Sequence, residues 1–466
     1  MKIKNKNIWI FLPDGVGLRN FVYGNIYKLS IEKGISLTYW NNTTYSLNEN
    51  LGLKEVKIEN AKNHFLSDLY KRAKKEIELN LSFKKTKNPA YLSYSFPSTN
   101  KNLKSFVKNV IVYFFILKYN SQKGLRKISQ NITRLERKTT YYKNSLAQLK
   151  EEMPAMVFCT NQRPMLGVAP ILAAKDLNIP TVTFIFSWDN LPKGMLLIEA
   201  DYYLVWSAHM KEELMYYYPH IKKEQVYVTG SPQFEMHKDS ALHIDKEDFF
   251  QVNNLEKNKK YICFSGDDIT TSPFDQYYLE DVAATVQELN KEGYNIGVIY
   301  RKCPVDFTDR HLEVVTKYKE IITCIDPKWA NLGNGWDTVM PLKEDMQLLF
   351  NTIKHSELVI NVGSSMAFDA VSHDKPCAYI NYNTKKGDIT IWNIDKIYKY
   401  IHFQSMPSKD AILWIDKKED IKRIILDAID GNYSLDKTKD WFDKICIAPQ
   451  KDASVNIIET FKYIIK

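Results

Sequence analysis

The chain has few cysteines and lacks the short motifs of the commonest metal and nucleotide sites. Its 466 residues include six cysteines, and no CxxC pair or Cys/His cluster of zinc-site spacing occurs. HExxH, DxD, Walker GxxxxGK[ST] and GxSxG patterns are also missing. These absences argue against a zinc protease, a carboxylate-held metal, an ATP-hydrolysing loop and a serine-hydrolase elbow. We therefore expect neither a metal nor a cofactor.

Long hydrophobic runs are missing as well. The longest, residues 110–117, is far shorter than the roughly 20 residues that span a bilayer. The apolar run before Asp14 is too short for a signal peptide. Most cysteines lie in apolar, strand-like runs and are interpreted as reduced core residues. The sequence thus predicts a cytoplasmic protein without a transmembrane helix.

Positive charge is concentrated in one segment. The formal net charge is +9, and residues 101–150 carry twelve Lys or Arg and one acidic residue, Glu136. One interpretation is a helical hairpin with a solvated basic face. The other is a surface that lies on an anionic membrane, since basic residues beside Phe, Ile and Leu bind lipid by charge and burial together. No zinc-finger spacing, RNP-type motif or basic tail indicates nucleic-acid binding.

Short apolar runs rich in β-branched and aromatic residues recur along the chain, with helical patterns between them. Continuous apolar strands separated by helices indicate parallel sheets covered on both faces. The sequence therefore predicts an α/β protein with two Rossmann-like, doubly wound domains facing a cleft. The predicted strands are 8–13, 37–40, 156–160, 181–186, 202–207, 226–230, 261–266, 295–301, 321–326, 357–362 and 376–382.

The domain boundary is predicted in the polar segment 231–260, which has no strand character. We expect an N-terminal domain over 1–235, with a helical insertion at about 101–150. A C-terminal domain should cover 255–435, and helices in 436–466 should pack back across both domains. Ligands of such sheets bind at the carboxyl ends of the strands, so the search for a site concentrates on residues that follow strands.

The segment LPDGVGLRNF, residues 12–21, follows the first predicted strand. Gly15 and Gly17 would allow a tight turn into a helix. Asp14 is a candidate catalytic base that could accept a proton from an attacking hydroxyl, and Arg19 is a candidate acceptor-binding residue. The alternative is that Asp14 only caps the helix.

The segment FSWDNLPKG, residues 186–194, follows another predicted strand. Asp189 is the second candidate base, and Trp188, Asn190 and Lys193 are candidates for binding a sugar or acceptor. An aromatic ring can cover the apolar face of a pyranose while polar groups bind its hydroxyls. A buried tryptophan beside an Asx turn is the alternative.

In the second domain, small and basic residues at strand ends predict a phosphate site. Gly363, Ser364 and Ser365 stand where a strand passes into a helix, a position that favours anions. Arg301 and Lys302 end another strand and are suited to neutralise a diphosphate. The predicted donor-binding set is Ser265, Gly266, Arg301, Lys302, Gly363, Ser364 and Ser365.

Four segments together resemble the GT-B glycosyltransferases that build bacterial surface polysaccharides. They are ADYYLVWS with VYVTGSPQFE (200–207 and 226–235), VIYRKCPVD (298–306), HSELVINVGSSMAFDAVSHDKPCAYI (355–380) and APQKDASVNIIETF (448–461). The CDP-glycerol glycerophosphotransferase-like and nucleotide-sugar-dependent groups share this order of motifs. The resemblance spans roughly residues 155–466.

The resemblance implies an activated donor held mainly by the second domain. Matched residue by residue, Arg301, Ser364 and Ser365 would bind donor phosphate. Cys303 stands where the family has histidine, and Asp369 stands where it has glutamate. In the last motif Gln450, Lys451 and Asn456 replace the family's Asp, Gly and Arg.

Together these observations predict a metal-independent glycosyltransferase that moves a sugar from a nucleotide-activated donor substrate to a hydroxyl of a surface glycan or glycolipid. Three alternatives remain open: a polyol-phosphate transferase using CDP-glycerol, a nucleotide-sugar 2-epimerase, and an inactive nucleotide-binding subunit. The expected partners are the donor, the acceptor and an anionic membrane surface at 101–150.

Overall fold

A computed structural model describes residues 6–95, 102–331, 339–447 and 452–466. The described residues divide into two compact units. The first unit takes in 1–232, 400–402 and 447–466, and the second takes in 233–399 and 403–446. Gln450 and Lys451 of the last motif lie outside the described residues.

The first unit contains a parallel seven-stranded sheet in the order β3-β2-β1-β4-β5-β6-β7. Its central strands are almost completely buried because helices cover both faces, which explains their continuous apolar sequences. The order 3-2-1-4-5-6 is that of a Rossmann fold. The strands are β1 Asn7–Leu12, β2 Ser36–Asn41, β3 Glu55–Lys57, β4 Met156–Cys159, β5 Thr181–Phe184, β6 Tyr202–Val205 and β7 Val226–Val228.

The second unit contains a parallel six-stranded sheet in the order β10-β9-β8-β13-β14-β15, again a Rossmann order. A separate antiparallel pair joins β11 to β12. The two doubly wound α/β units confirm the predicted fold class. The strands are β8 Lys260–Ser265, β9 Ile296–Arg301, β10 Ile322–Cys324, β11 Trp329–Asn331, β12 Val339–Pro341, β13 Leu358–Asn361, β14 Cys377–Ile380 and β15 Leu413–Ile415.

Helices connect the strands and cover the sheets. In the first unit they are α1 Leu18–Phe21, α2 Ile26–Glu32, α3 Leu47–Leu51, α4 Ser67–Thr86, α5 Leu103–Tyr119, α6 Gln122–Glu136, α7 Thr140–Glu152, α8 Val168–Asp176, α9 Ala208–Tyr217 and α17 Ala453–Ile464. In the second they are α10 Lys246–Val252, α11 Asp275–Lys291, α12 Leu312–Lys317, α13 Lys343–Lys354, α14 Met366–Val371, α15 Asp420–Asp430 and α16 Asp436–Cys446. No membrane-spanning helix is found within the ranges described above.

Three helices, α5, α6 and α7, occupy most of residues 102–152, so the interpretation of this segment as a two-helix hairpin is wrong in the number of helices. Capping side chains set the breaks. Ser121 accepts a hydrogen bond from the N–H of Gly124 at the start of α6, and Thr139 accepts one from Tyr142 at the start of α7. Each cap satisfies a backbone donor that a continuous helix would bond internally, so the chain restarts instead of continuing.

The cysteines are all reduced, but two of them depart from the predicted core position. Cys159, Cys263, Cys377 and Cys446 are buried, whereas Cys303 is half-buried and Cys324 is exposed. Cys324 ends β10, which lies at the edge of its sheet. An edge strand has a neighbour on one side only, so an apolar run there need not be covered.

Candidate functional site

Each sheet has a point where the strand order reverses, between β1 and β4 in the first unit and between β8 and β13 in the second. Ligands of open α/β sheets bind beside this point, at the carboxyl ends of the strands. Asp14 follows β1 and Asn161 follows β4. Asp267 and Gly363 follow β8 and β13 in the same way. The topology therefore places polar or small residues where a ligand is expected in each unit.

In the first unit, Asp14 links the loops after β1 and β4. Its Oδ2 accepts a hydrogen bond from Nδ2 of Asn161 at 3.1 Å, and its Oδ1 accepts one from the N–H of Val16 at 3.2 Å. Gly17 is required in this turn because a Cβ there would lie 2.6 Å from Oγ1 of Thr160. Asp14 thus has the predicted capping contact, and its catalytic role stays a prediction.

Asp189 belongs to a second hydrogen-bonded group, after β5. Its Oδ1 accepts from Nδ2 of Asn190 at 2.8 Å, its Oδ2 is paired with Lys193, and Asn190 Oδ1 accepts from Nε2 of Gln162 at 2.9 Å. Burial acts to raise the pKa of Asp189, but Lys193 and His402 outweigh it and hold that pKa below its ordinary value. Asp189 is therefore an ionised carboxylate and a weak base.

Arg163 is the cation that both carboxylates influence. Burial lowers the pKa of its guanidinium, while Asp14 and Asp189 act in the opposite direction. Its guanidinium carbon lies 5.2 Å from the ring centre of Phe186. We call Asp14, Asn161, Gln162, Arg163, Asp189, Asn190 and Lys193 the first polar cluster.

Trp188 is the buried tryptophan of the alternative interpretation, because only 5 % of its surface is exposed. Its ring meets that of His402 edge-on at 4.8 Å. Nδ1 of His402 is hydrogen-bonded to the hydroxyl of Tyr94 at 3.0 Å. Burial lowers the pKa of His402 to about 3, although Asp189 opposes the shift. Arg19 lies on α1 and is half-buried.

In the second unit, Gly363, Ser364 and Ser365 form a half-exposed turn after β13, which we call the small-residue turn. Gly363 has a φ of +70°, a conformation that side chains disfavour. The N–H of Ser364 donates to Oδ1 of Asn361 at 2.8 Å, and its carbonyl accepts from the hydroxyl of Tyr379 at 2.8 Å. These bonds hold the turn in place before α14.

Asp267 connects the loop after β8 to the small-residue turn. Its Oδ2 accepts from the N–H of Val362 at 3.3 Å, and its own N–H donates to Oδ2 of Asp275 at 3.1 Å. Burial, Asp275 and Asp268 together raise the pKa of Asp267 well above its usual range. A carboxyl group that is held neutral can donate a hydrogen bond to an anion instead of repelling it.

Ser265 ends β8 and Gly266 follows it, and both residues are buried. The hydroxyl of Ser265 lies 2.8 Å from the sulfur of Met366. A Cβ on Gly266 would come within 3.1 Å of the Tyr300 ring, so a side chain there would require the ring to shift. Their predicted contact with a donor remains a prediction.

Arg301 and Lys302 already have partners inside the protein. Nη2 of Arg301 donates to both carboxylate oxygens of Asp345 at 2.9 Å, and both side chains are buried. Nη1 of Arg301 is buried without a hydrogen-bond partner in the described part of the chain. Lys302 donates to the carbonyl of Thr308 at 2.8 Å. A phosphate would have to compete with Asp345 for Arg301.

Buried side chains anchor α14, the helix that follows the small-residue turn. Nε2 of His237 is hydrogen-bonded to Oδ1 of Asp369 at 2.8 Å, and its Nδ1 to Nε2 of His373 at the same distance. Burial, with a smaller contribution from His237, lowers the pKa of His373 to about 3.

Several residues of these sites were not predicted: Asn161, Gln162, Arg163, Asp267 and His402. All but His402 directly follow predicted strands, so the rule that led to Asp14 and Arg301 would have found them. His402 has no such signal, since it comes from a short segment far along the chain. Within the described ranges, no group of three or more His, Cys, Asp or Glu side chains could hold a metal ion.

No protein-family model and no curated protein sequence matches the chain. Solved structures do match. Staphylococcus aureus MnaA, solved with UDP, is 14 % identical over 98 % of this chain and 96 % of its own, with a TM-score of 0.53. UDP-GlcNAc 2-epimerase from Methanocaldococcus jannaschii is 13 % identical over 98 % and 99 %, with a TM-score of 0.50. The chain therefore has the two-Rossmann α/β fold of the GT-B class.

Proposed function

We propose that the protein is a GT-B glycosyltransferase that uses a nucleotide-activated sugar without a metal ion and acts inside the cell on a surface glycan or glycolipid. The observation that carries the proposal is the match of nearly the whole chain to a fold whose solved examples include one bound to UDP. The motifs of the second unit support the choice of a transferase.

In this proposal the second unit holds the donor. The hydroxyls of the small-residue turn and its backbone N–H groups other than that of Ser364, which donates to Asn361, bind the diphosphate, since the turn is half-exposed and its residues are small enough for close approach. Asp267, kept neutral by its surroundings, donates a hydrogen bond to the same group. These contacts stabilise the leaving phosphate in place of a metal.

The first polar cluster binds the acceptor in this proposal. Asp14 acts as the base that accepts the hydroxyl proton. Asp189 has a lowered pKa, which suits it to orient the acceptor rather than to remove a proton. Arg163, whose guanidinium pKa both carboxylates act to raise, supplies a positive charge to this cluster.

A nucleotide-sugar 2-epimerase is the second candidate, because both solved neighbours with TM-scores of at least 0.5 reported above match over nearly their whole length and one carries that activity in its name. An epimerase must remove and return a proton on the sugar. The lowered pKa of Asp189 argues against its serving as one of the two groups needed for that exchange.

Product analysis separates the candidates. The protein would be incubated with UDP-GlcNAc and other nucleotide sugars, alone and with a panel of alkyl glycosides, and the products followed by NMR and mass spectrometry. Release of nucleoside diphosphate with a new glycoside supports the transferase, and an epimer formed without acceptor supports the epimerase. Neither product with any donor would contradict both.

Two variants test the assigned roles. Asp14→Asn should lower kcat by about 10²–10⁴-fold if Asp14 is the base. Asp189→Asn should mainly raise KM for the acceptor. Equal turnover by wild type and Asp14→Asn would exclude Asp14 as the base.

A further inference from the structure

The outer face of α5 is a continuous apolar stripe exposed to solvent. Its members are 48–78 % exposed, and seven of the 21 exposed large apolar side chains in the described ranges belong to it. Their spacing of three and four residues puts them on one side of the helix. They are Leu103, Phe106, Val107, Val110, Tyr113, Phe114 and Leu117, and we call them the α5 stripe.

The opposite face of α5 is packed against the first unit. Val112 and Tyr119 are buried, and Ile111, Phe115 and Ile116 pack on the same core cluster. The residues of α5 that pack on the core are therefore different from those of the stripe, so the stripe is a second apolar face of the helix. An apolar surface of this length on a solvent-exposed helix indicates a binding partner.

Positive charge lies along one side of the stripe. Lys104, Lys108 and Lys118 lie on α5 and are exposed, and α6 adds further exposed Lys and Arg side chains. The one acidic residue between 102 and 138 is Glu136. Its carboxylate is buried and accepts hydrogen bonds from Ser67 and His64, so it does not neutralise this surface.

We propose that the α5 stripe lies in the interface of an anionic membrane. An apolar helix face flanked by lysines matches the acyl boundary and the acidic headgroups of such a membrane. At 17 residues, α5 is about 26 Å long, and it lies along the interface rather than across the bilayer. This inference does not depend on the proposed function.

A second copy of the chain is the less favoured occupant. Two copies joined through this face would bring the same patch together from both sides, as symmetry requires. The lysines of one helix would then face lysines of the other, with no exposed carboxylate on α5 or α6 to pair with them. The lipid surface supplies the negative charge that a second copy lacks.

Vesicle flotation tests the proposal with purified full-length protein. The probes are phosphatidylcholine vesicles with and without one third phosphatidylglycerol. The wild type should bind the anionic vesicles, and salt should weaken the binding. Phe106→Ser/Phe114→Ser/Leu117→Ser should reduce binding by about 100-fold or more, since three apolar side chains are lost.

The matched control removes equally exposed apolar side chains from the second unit. Phe307, Leu312 and Ile391 are 58–71 % exposed, and their triple serine variant should bind vesicles within about twofold of wild type because the α5 stripe is intact. Lys104→Gln/Lys108→Gln/Lys118→Gln keeps the stripe and should still lose at least about tenfold on anionic vesicles. This charge variant remains the test if the stripe variant fails to fold.

Three results would overturn the proposal. The first is that the wild type does not bind vesicles, and the second is that the stripe variant and its control bind them equally. The third is that the wild type does not bind vesicles but sediments as a dimer, and that the stripe variant sediments as a monomer. The last result would assign the surface to a second copy. Product formation from nucleotide sugars in detergent-free buffer is a separate readout, so failure here and failure of the proposed function are distinguishable.

Discussion

At the scale of single residues, the ion pair between Arg301 and Asp345 gives a sharp test. Asp345 also accepts hydrogen bonds from Nε1 of Trp329 and the N–H of Lys328, both at 2.8 Å. Arg301→Ala would leave this buried carboxylate without its counter-ion. We expect a loss of about 3–5 kcal/mol in unfolding free energy, measured by chemical denaturation.

Two controls define that result. Arg301→Met/Asp345→Leu removes both charges and should recover most of the stability, because no buried charge is left unpaired. Lys257→Ala breaks the exposed pair with Glu247 and should cost less than about 1 kcal/mol. If Arg301→Ala were as stable as Lys257→Ala, the buried pair would not have the importance assigned to it.

His402 makes the unfolding free energy depend on pH, and its lowered pKa sets the direction of that dependence. Its pKa is lowered from about 6.5 in an unfolded chain to about 3 in the fold, chiefly by burial. The unfolded state therefore binds a proton that the folded state does not, so this contribution to stability is complete above pH 6.5 and is lost as the pH falls toward 3. Between pH 7 and pH 5 the loss should be about 2 kcal/mol.

The measurement compares wild type with His402→Asn, which keeps a polar atom near the position of Nδ1. Denaturation at pH 7 and pH 5 should show the wild type losing about 2 kcal/mol more than the variant. The ordinary pKa of Asp189 lies below this pH window and the fold lowers it further, so it contributes little to the difference. The same pH dependence in both proteins would show that His402 is not buried neutral.

At the scale of elements, the small-residue turn depends on Gly363 for two reasons. Its φ of +70° disfavours a side chain, and a Cβ would meet Ile397 at 3.0 Å and Phe403 at 3.1 Å. Gly363→Ala should therefore cost about 2–4 kcal/mol, combining backbone strain with overpacking. Thermal and chemical unfolding would measure it.

Gly431→Ala is the matched control for that turn. Gly431 ends α15 with a φ of +76°, and a Cβ there would meet nothing within 4 Å. It should cost only about 1 kcal/mol, the backbone term alone. Equal losses in the two variants would mean that the contacts with Ile397 and Phe403 do not constrain the turn.

Elements buried on both faces could be predicted from sequence, and the exceptions have physical reasons. Every predicted strand is present, because a strand covered by helices must be a continuous apolar run. The short edge strands β3 and β15 and the β11–β12 pair were not predicted. Each is only three residues long, too short a run to stand out by itself. β3 (EVK) also carries two charged residues, and β11 and β12 pair only with each other, whereas β15 (LWI) is wholly apolar and was missed for its length alone.

The sequence predicts where the candidate residues lie relative to the strands, but not which side chains they contact. Asp14, Asp189 and Gly363 lie where strands end, which sequence order alone indicates. The pairing of Asp189 with Lys193 follows from nearby residues. The contact of Asp14 with Asn161, and that of Arg301 with Asp345, join residues far apart in the chain, so only the fold brings them together.

At the scale of the whole molecule, the same strand order occurs in both units, with a polar cluster at each reversal point. Two Rossmann units of this kind, each with polar or small residues after the strands at its reversal point, are the basis of our central proposal that the protein binds a nucleoside diphosphate. The small-residue turn is the proposed phosphate contact.

The most direct measurement is calorimetric and thermal-shift titration of the purified protein with UDP, GDP, CDP, CMP and dTDP and their sugar or glycerol conjugates. We predict that one nucleotide family stabilises the protein, by about 2.7 kcal/mol at a hundred times its Kd. Ser364→Ala/Ser365→Ala should weaken that binding, while Gly431→Ala should not. No stabilisation by any of these ligands would contradict the account and leave the small-residue turn as an ordinary connection between a strand and a helix.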